Sequence, residues 1–208
     1  MLDILAQAQT WAIAHQDRYT YWCTQVAKSP YTPIQKAEFA VISAHTPFWQ
    51  AVKAWQLLQY TGYRSVWRIA VTLSNVIAPY QKARAIYTIR NTGINPGTDA
   101  AQWRSAVKLP RLGYCKASFA ACLIDPFGSN VVCLDVHVKR LYGCTKTTLT
   151  SNQYIKLESE VLNDAAQLNM APFLYQWAIW DYARLIWMQV PPCDHSFLWN
   201  KYINRRLL

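Results

Sequence analysis

A chain of 208 residues, 52% hydrophobic and 14% aromatic, can bury one sizeable core but is short for two independent domains, which excludes a largely disordered protein. No stretch approaches the roughly 18 apolar residues of a membrane span, no basic and then apolar leader opens the sequence, and the six cysteines form no Cys-x-x-Cys pair of the kind that holds zinc or an iron–sulfur cluster. The formal charge of +10 points to a polyanionic partner, although a basic solvated surface with no partner accounts for charge alone equally well.

The expected setting is therefore intracellular, cytoplasmic or at the nucleoid, with buried free thiols. Charge is also unevenly spread. No acid lies between Glu38 and Asp99, an interval that holds Lys53, Arg64, Arg68, Lys82, Arg84 and Arg90, and the next interval, to Asp125, adds Arg104, Lys108, Arg111 and Lys116.

Apolar spacing predicts a first helix over 2–26, ended by the segment Ser29-Pro30-Tyr31-Thr32-Pro33, and a second over about 34–43. Thr46 is expected to cap a third, with Pro47 in its first turn and its end near Tyr60. Further helices are expected over 65–76, from Pro79 to Arg90, and over 100–107, with a loop at 91–98 rich in Gly, Asn and Pro. Helices flank Leu109-Pro110-Arg111-Leu112-Gly113, a short one starts near Asp135, and 154–167 and 172–188 complete an all-α chain with scarcely any strand-like alternation.

The most informative passage runs from Lys108 to Gly143. Its tight turn leads straight into a helix whose Ala117, Ser118, Ala120 and Ala121 permit close packing. A turn of this kind leaves backbone N–H groups at a helix N-terminus, where they and the helix dipole can hold a phosphate without reading sequence. About twenty residues on, Asp135 opens the next helix. A cap there is worth about 1 kcal/mol and needs no chemistry, so spacing alone favours the cap.

Hairpin and aspartate together resemble the helix-hairpin-helix (HhH-GPD) DNA glycosylases, whose turn Leu-Pro-Gly-x-Gly-x-Lys-x-Ala is followed by Val-Asp-Thr-His or a near variant. Leu109, Pro110, Gly113, Ala117 and Leu134-Asp135-Val136-His137 match that pattern. The segment from Phe39 to Thr46 is similar to the family's Leu-Leu-Ser-Ala-Gln-Thr, and Gln81 to Ile86 to its Lys-Ala-x-x-Ile helix; the length suits the endonuclease III-like branch. The resemblance implies a two-lobed, all-helical fold with a central cleft, built as a single domain over 1–208. One lobe would cover about 34–140, with the hairpin at 109–113, and the other about 1–30 plus 141–208.

The implied partner is double-stranded DNA carrying a damaged or modified base, bound by a monomer that flips the nucleotide out and cleaves its N-glycosidic bond in base excision repair. Asp135 would serve as the catalytic carboxylate, because a departing base leaves oxocarbenium character on the sugar. Phosphate and backbone contacts would come from Lys108, Arg111, Leu112, Gly113, Tyr114, Cys115, Lys139 and Arg140. His45 stands where relatives carry the Gln that fills the gap in the duplex. Trp180, Asp181 and His137 are candidates for the base pocket. Their plain readings are core packing for Trp180, an ion pair with Arg184 for Asp181 and support of Asp135 for His137.

The departures matter as much. Only Cys193 lies beyond Cys144, so the family's four-cysteine cluster near the C-terminus is not expected and no cofactor is implied, though a monovalent cation at the hairpin is compatible with the motif. Counted without a gap, the family's Schiff-base lysine falls on Cys115; with one extra residue in the turn it falls on Lys116, the preferred position. Monofunctional and bifunctional chemistry both stay open. So do a phage-type transferase acting on hypermodified thymine and a DNA-binding module without catalysis.

Overall fold

Prolines and small polar residues set most helix boundaries. The computed structural model describes residues 4–62, 64–92, 100–106 and 113–192, in which there are eleven helices and no strand. They are α1 (Ile4–Ala14), α2 (Gln16–Lys28), α3 (Pro33–Ile42), α4 (Phe48–Thr61), α5 (Val66–Thr72), α6 (Pro79–Thr92), α7 (Ala100–Ala106), α8 (Tyr114–Ile124), α9 (Val136–Leu141), α10 (Ser151–Gln167) and α11 (Pro172–Met188). The all-α reading holds.

Caps explain several of these starts. Thr32 and Gln35 form a reciprocal capping box at α3, Thr150 and Gln153 do the same at α10, and the Ser65 hydroxyl accepts from the Arg68 amide at α5. Gly62, at φ +61°, ends α4 in the left-handed conformation that glycine adopts at no steric cost. Two expected features differ. The first helix is broken at His15, whose imidazole bonds the Trp11 carbonyl at 2.9 Å and stacks on the Trp11 ring, leaving α1 and α2 as separate pieces. Pro47, not Thr46, precedes α4, and the Thr46 hydroxyl is engaged elsewhere.

The chain divides into two compact units. The middle one spans 30–124. Its centre is α3, with Phe39, Ala40 and Ile42 buried, packed against α4, α6 and α8; the small side chains Ala117, Ala120 and Ala121 bring α8 close. Glu38 is buried there, in an ion pair with Arg90 of α6 (Nε to Oε1, 2.5 Å) and accepting from Gln59 of α4 at 2.7 Å. Its two partners answer the charge that burial would otherwise strand.

The second unit combines 1–29 with 125–208. Here α11 is central and nearly all apolar, burying Phe173, Leu174, Tyr175, Trp177, Ile179 and Tyr182 against α1, α2, α9 and α10. The boundary between the two units falls at Ile124 and Asp125. The non-helical run 129–135 buries Val131, Val132, Cys133 and Leu134, and its backbone is satisfied from α10: Glu158 accepts from the Val132 amide at 2.9 Å, and the Tyr154 hydroxyl accepts from the Leu134 amide at 3.1 Å while donating to the Val132 carbonyl at 2.7 Å. Buried amides need such partners, and these tie the run to the terminal segments.

Candidate active site

Asp135 sits in extended backbone at the end of that run and caps α9. Its Oδ1 accepts from the His137 amide at 2.9 Å and the Val138 amide at 3.0 Å, and Oδ2 accepts from Trp180 Nε1 of α11 at 2.5 Å. The side chain is half-buried rather than enclosed. A carboxylate has about four lone-pair sites, so three N–H donors fix its direction and leave acceptor capacity. Cap and chemistry are compatible in one residue.

The Trp180 indole is itself held, because the Arg184 guanidinium lies over its ring at 4.3 Å and Arg184 pairs with Asp181 at 3.5 Å. Asp181, expected beside a base pocket, is fully buried and also accepts from the Tyr19 hydroxyl at 3.1 Å. It anchors Arg184 from inside the unit. Trp180 likewise orients Asp135, with the Arg184 guanidinium lying over its ring. His137 stacks on Trp187 with centroids 6.2 Å apart, and burial lowers its pKa, which the nearby Asp135 only partly offsets, so its ring is held toward the neutral form.

In the middle unit, α8 starts at Tyr114 directly after the exposed Gly113, whose carbonyl accepts from the Lys116 and Ala117 amides. Lys116 Nζ donates to Ser43 Oγ at 3.3 Å and lies 5.1 Å from the Phe119 ring centroid, on the side where α3 ends. Cys115 and Tyr114 are half-buried. His45 follows α3 and is exposed at φ +53°. Lys108, Arg111 and Leu112 lie outside the described residues.

No family model and no curated protein matches the chain, but a solved structure does: the 8-oxoguanine DNA glycosylase of Thermotoga maritima is 15% identical, with a TM-score of 0.69, over 85% of this chain and 93% of that one. The chain has the helix-hairpin-helix DNA glycosylase fold.

On this glycosylase fold, the neighbouring cations Lys139 and Arg140, both expected to contact phosphate, stand in different surroundings. Lys139 is buried, and its Nζ donates to the carbonyls of Lys146 at 2.8 Å and Thr147 at 2.7 Å, holding the chain after α9; Arg140 beside it is exposed. Lys139→Gln is therefore expected to lower stability by about 1–3 kcal/mol while leaving the salt dependence of duplex binding unchanged. Arg140→Gln should do the reverse, reducing the slope of log affinity against log salt by about 1. Equal salt slopes for Arg140→Gln and the wild type, in a titration over several salt concentrations, would remove Arg140 from the DNA contacts.

Sequence reasoning read the Asp181–Arg184 pair but missed the roles of Tyr154, Glu158 and Lys82. Tyr154 and Glu158 share a face with Leu157, Val161 and Ala165 of α10, and an acid on an otherwise apolar face is a legible signal of a buried acceptor role. Among the described residues no three His, Cys, Asp or Glu side chains are grouped to hold a metal ion, and no helix is long and apolar enough to cross a membrane. Cys23, Cys122 and Cys133 are buried, with burial pushing the Cys23 thiol up to about 12.

Proposed function

We propose that this protein is a DNA glycosylase that binds duplex DNA, turns a damaged or modified nucleotide out of the stack and hydrolyses the bond between base and deoxyribose. The observation that carries the reading is Asp135: a carboxylate aimed by two backbone amides and an indole N–H, at the helix start where this fold's sequence motif calls for it. As the base departs with the bonding electron pair, positive charge grows on the sugar. A carboxylate of fixed direction stabilises that charge without reorganising, and water adds to the anomeric carbon. Exposed Lys53, Arg64, Arg68, Arg84 and Arg140 supply sequence-independent attraction to phosphates.

The test is a panel of duplexes carrying 8-oxoguanine, uracil, a thymine mismatch, alkylated purines and 5-modified pyrimidines, incubated with and without borohydride. Release of free base from one of them is the expected result, leaving an abasic site. A trapped covalent adduct that disappears in Lys116→Ala would assign strand cleavage to that amine, whereas hydrolysis with no adduct makes base release the whole reaction. Duplex binding with no base released from any lesion would overturn the glycosylase reading.

Trp180→Phe isolates the aim of the carboxylate. The ring is kept for Arg184 while the N–H to Oδ2 is lost, so base release under single turnover should slow about tenfold, with stability changed by about 1 kcal/mol or less. An unaltered rate would mean that the two backbone amides suffice.

A further inference from the structure

Lys82 of α6 is 6% exposed, yet all three of its ammonium donors are used on one short turn. Nζ donates to the Ile42 carbonyl at 2.8 Å, the Ala44 carbonyl at 2.6 Å and the Thr46 hydroxyl at 2.6 Å. These acceptors lie on either side of His45. That residue is left-handed at φ +53°, a conformation uncommon for any side chain though more accessible to histidine than to most, and its imidazole is exposed. From α8, Lys116 reaches the same helix end through Ser43.

An ordinary helix C-terminus needs no buried cation, because glycine after the last turn, or water, satisfies its carbonyls. Here burial and the neighbouring Lys116 charge push the Lys82 ammonium down to about 8, so retaining it opposes a real electrostatic cost. What the arrangement secures is one backbone geometry at 42–46, with the imidazole held outward.

We infer that Lys82 is a positioning residue for His45: its ammonium clamps the turn 42–46 so that the imidazole is presented, before DNA arrives, to fill the space an extruded nucleotide leaves in the duplex. The inference rests on the glycosylase reading. A preformed wedge spares the ordering of that turn at the moment of binding, which favours the distorted duplex over the intact one.

The probe is a duplex with a tetrahydrofuran abasic site opposite 2-aminopurine, set beside an undamaged duplex of the same sequence. Wild-type protein should change the 2-aminopurine fluorescence on binding. Lys82→Met should abolish that change and weaken affinity for the abasic duplex about tenfold, with affinity for undamaged duplex held. His45→Ala should do the same, and the double variant should be no worse than His45→Ala alone, since a residue acting through another is non-additive with it. A purely structural lysine would give additive losses and weaken both duplexes together. If Lys82→Met does not fold, Thr46→Val removes a single acceptor and carries the same comparison with a smaller loss. Additive losses, or full fluorescence change in Lys82→Met or Thr46→Val, overturn the inference. Binding that His45→Ala leaves untouched overturns it and spares the glycosylase reading, while no binding to any duplex removes both.

Discussion

Asp135→Asn is expected to slow base release about 10²–10³-fold under single turnover, with duplex affinity within a factor of about three of the wild type. The amide oxygen can still accept from the His137 and Val138 amides, and Asn caps helices about as well as Asp, so α9 keeps its start. What disappears is the negative charge that the proposed mechanism uses to stabilise the sugar. The amide nitrogen then meets the Trp180 N–H donor to donor, a loss on the order of 1 kcal/mol in stability. Asp135→Ala removes cap and charge together, and should add a further stability loss of about 1 kcal/mol without a further loss of rate. Comparing melting temperature and rate across the pair separates the two roles. A full rate in Asp135→Asn, on a lesion that the wild type processes, would reduce the residue to its cap.

Local chemistry made much of this legible before any coordinates. Pro172 and the mostly apolar run behind it mark α11 from first residue to last, and the alternation of caps and prolines from Thr32 to Pro79 marks the middle helices. Asp135 could be found because two independent signals meet on it, a cap position and a motif. The division of the chain was less accessible, since Val131 to Leu134 have no helical period and their partners stand 20 to 26 residues later on α10. Long-range satisfaction of backbone groups leaves no trace in the run that is satisfied. Cations are hard to tell apart for the same reason: in the sequence Lys82, Lys139 and Arg140 are alike, but only the fold shows that two of them end on carbonyls inside the protein. Their charge counts toward the +10 while their ammonium groups are engaged within the fold.

That long-range dependence makes Tyr154→Phe the most informative stability experiment. Deleting one hydroxyl removes the partner of the Leu134 amide and one partner of the Val132 carbonyl, both in a buried run, for a tyrosine that is itself 5% exposed. Each buried polar group left short costs about 1–3 kcal/mol, so a loss of about 2–4 kcal/mol is expected, or a melting temperature lower by roughly 5–12 °C for a chain of this size. Leu134 adjoins Asp135, so the rate of base release should fall several-fold well below the melting range while affinity for duplex stays close to wild type. Glu158→Gln provides the control, because the amide keeps an oxygen for the Val132 N–H at the cost of a buried charge. A Tyr154→Phe variant that melts like the wild type would mean that apolar packing of Val131, Val132 and Leu134 holds the run on its own. In that case the aim of Asp135 would depend on Trp180 and the α9 amides alone.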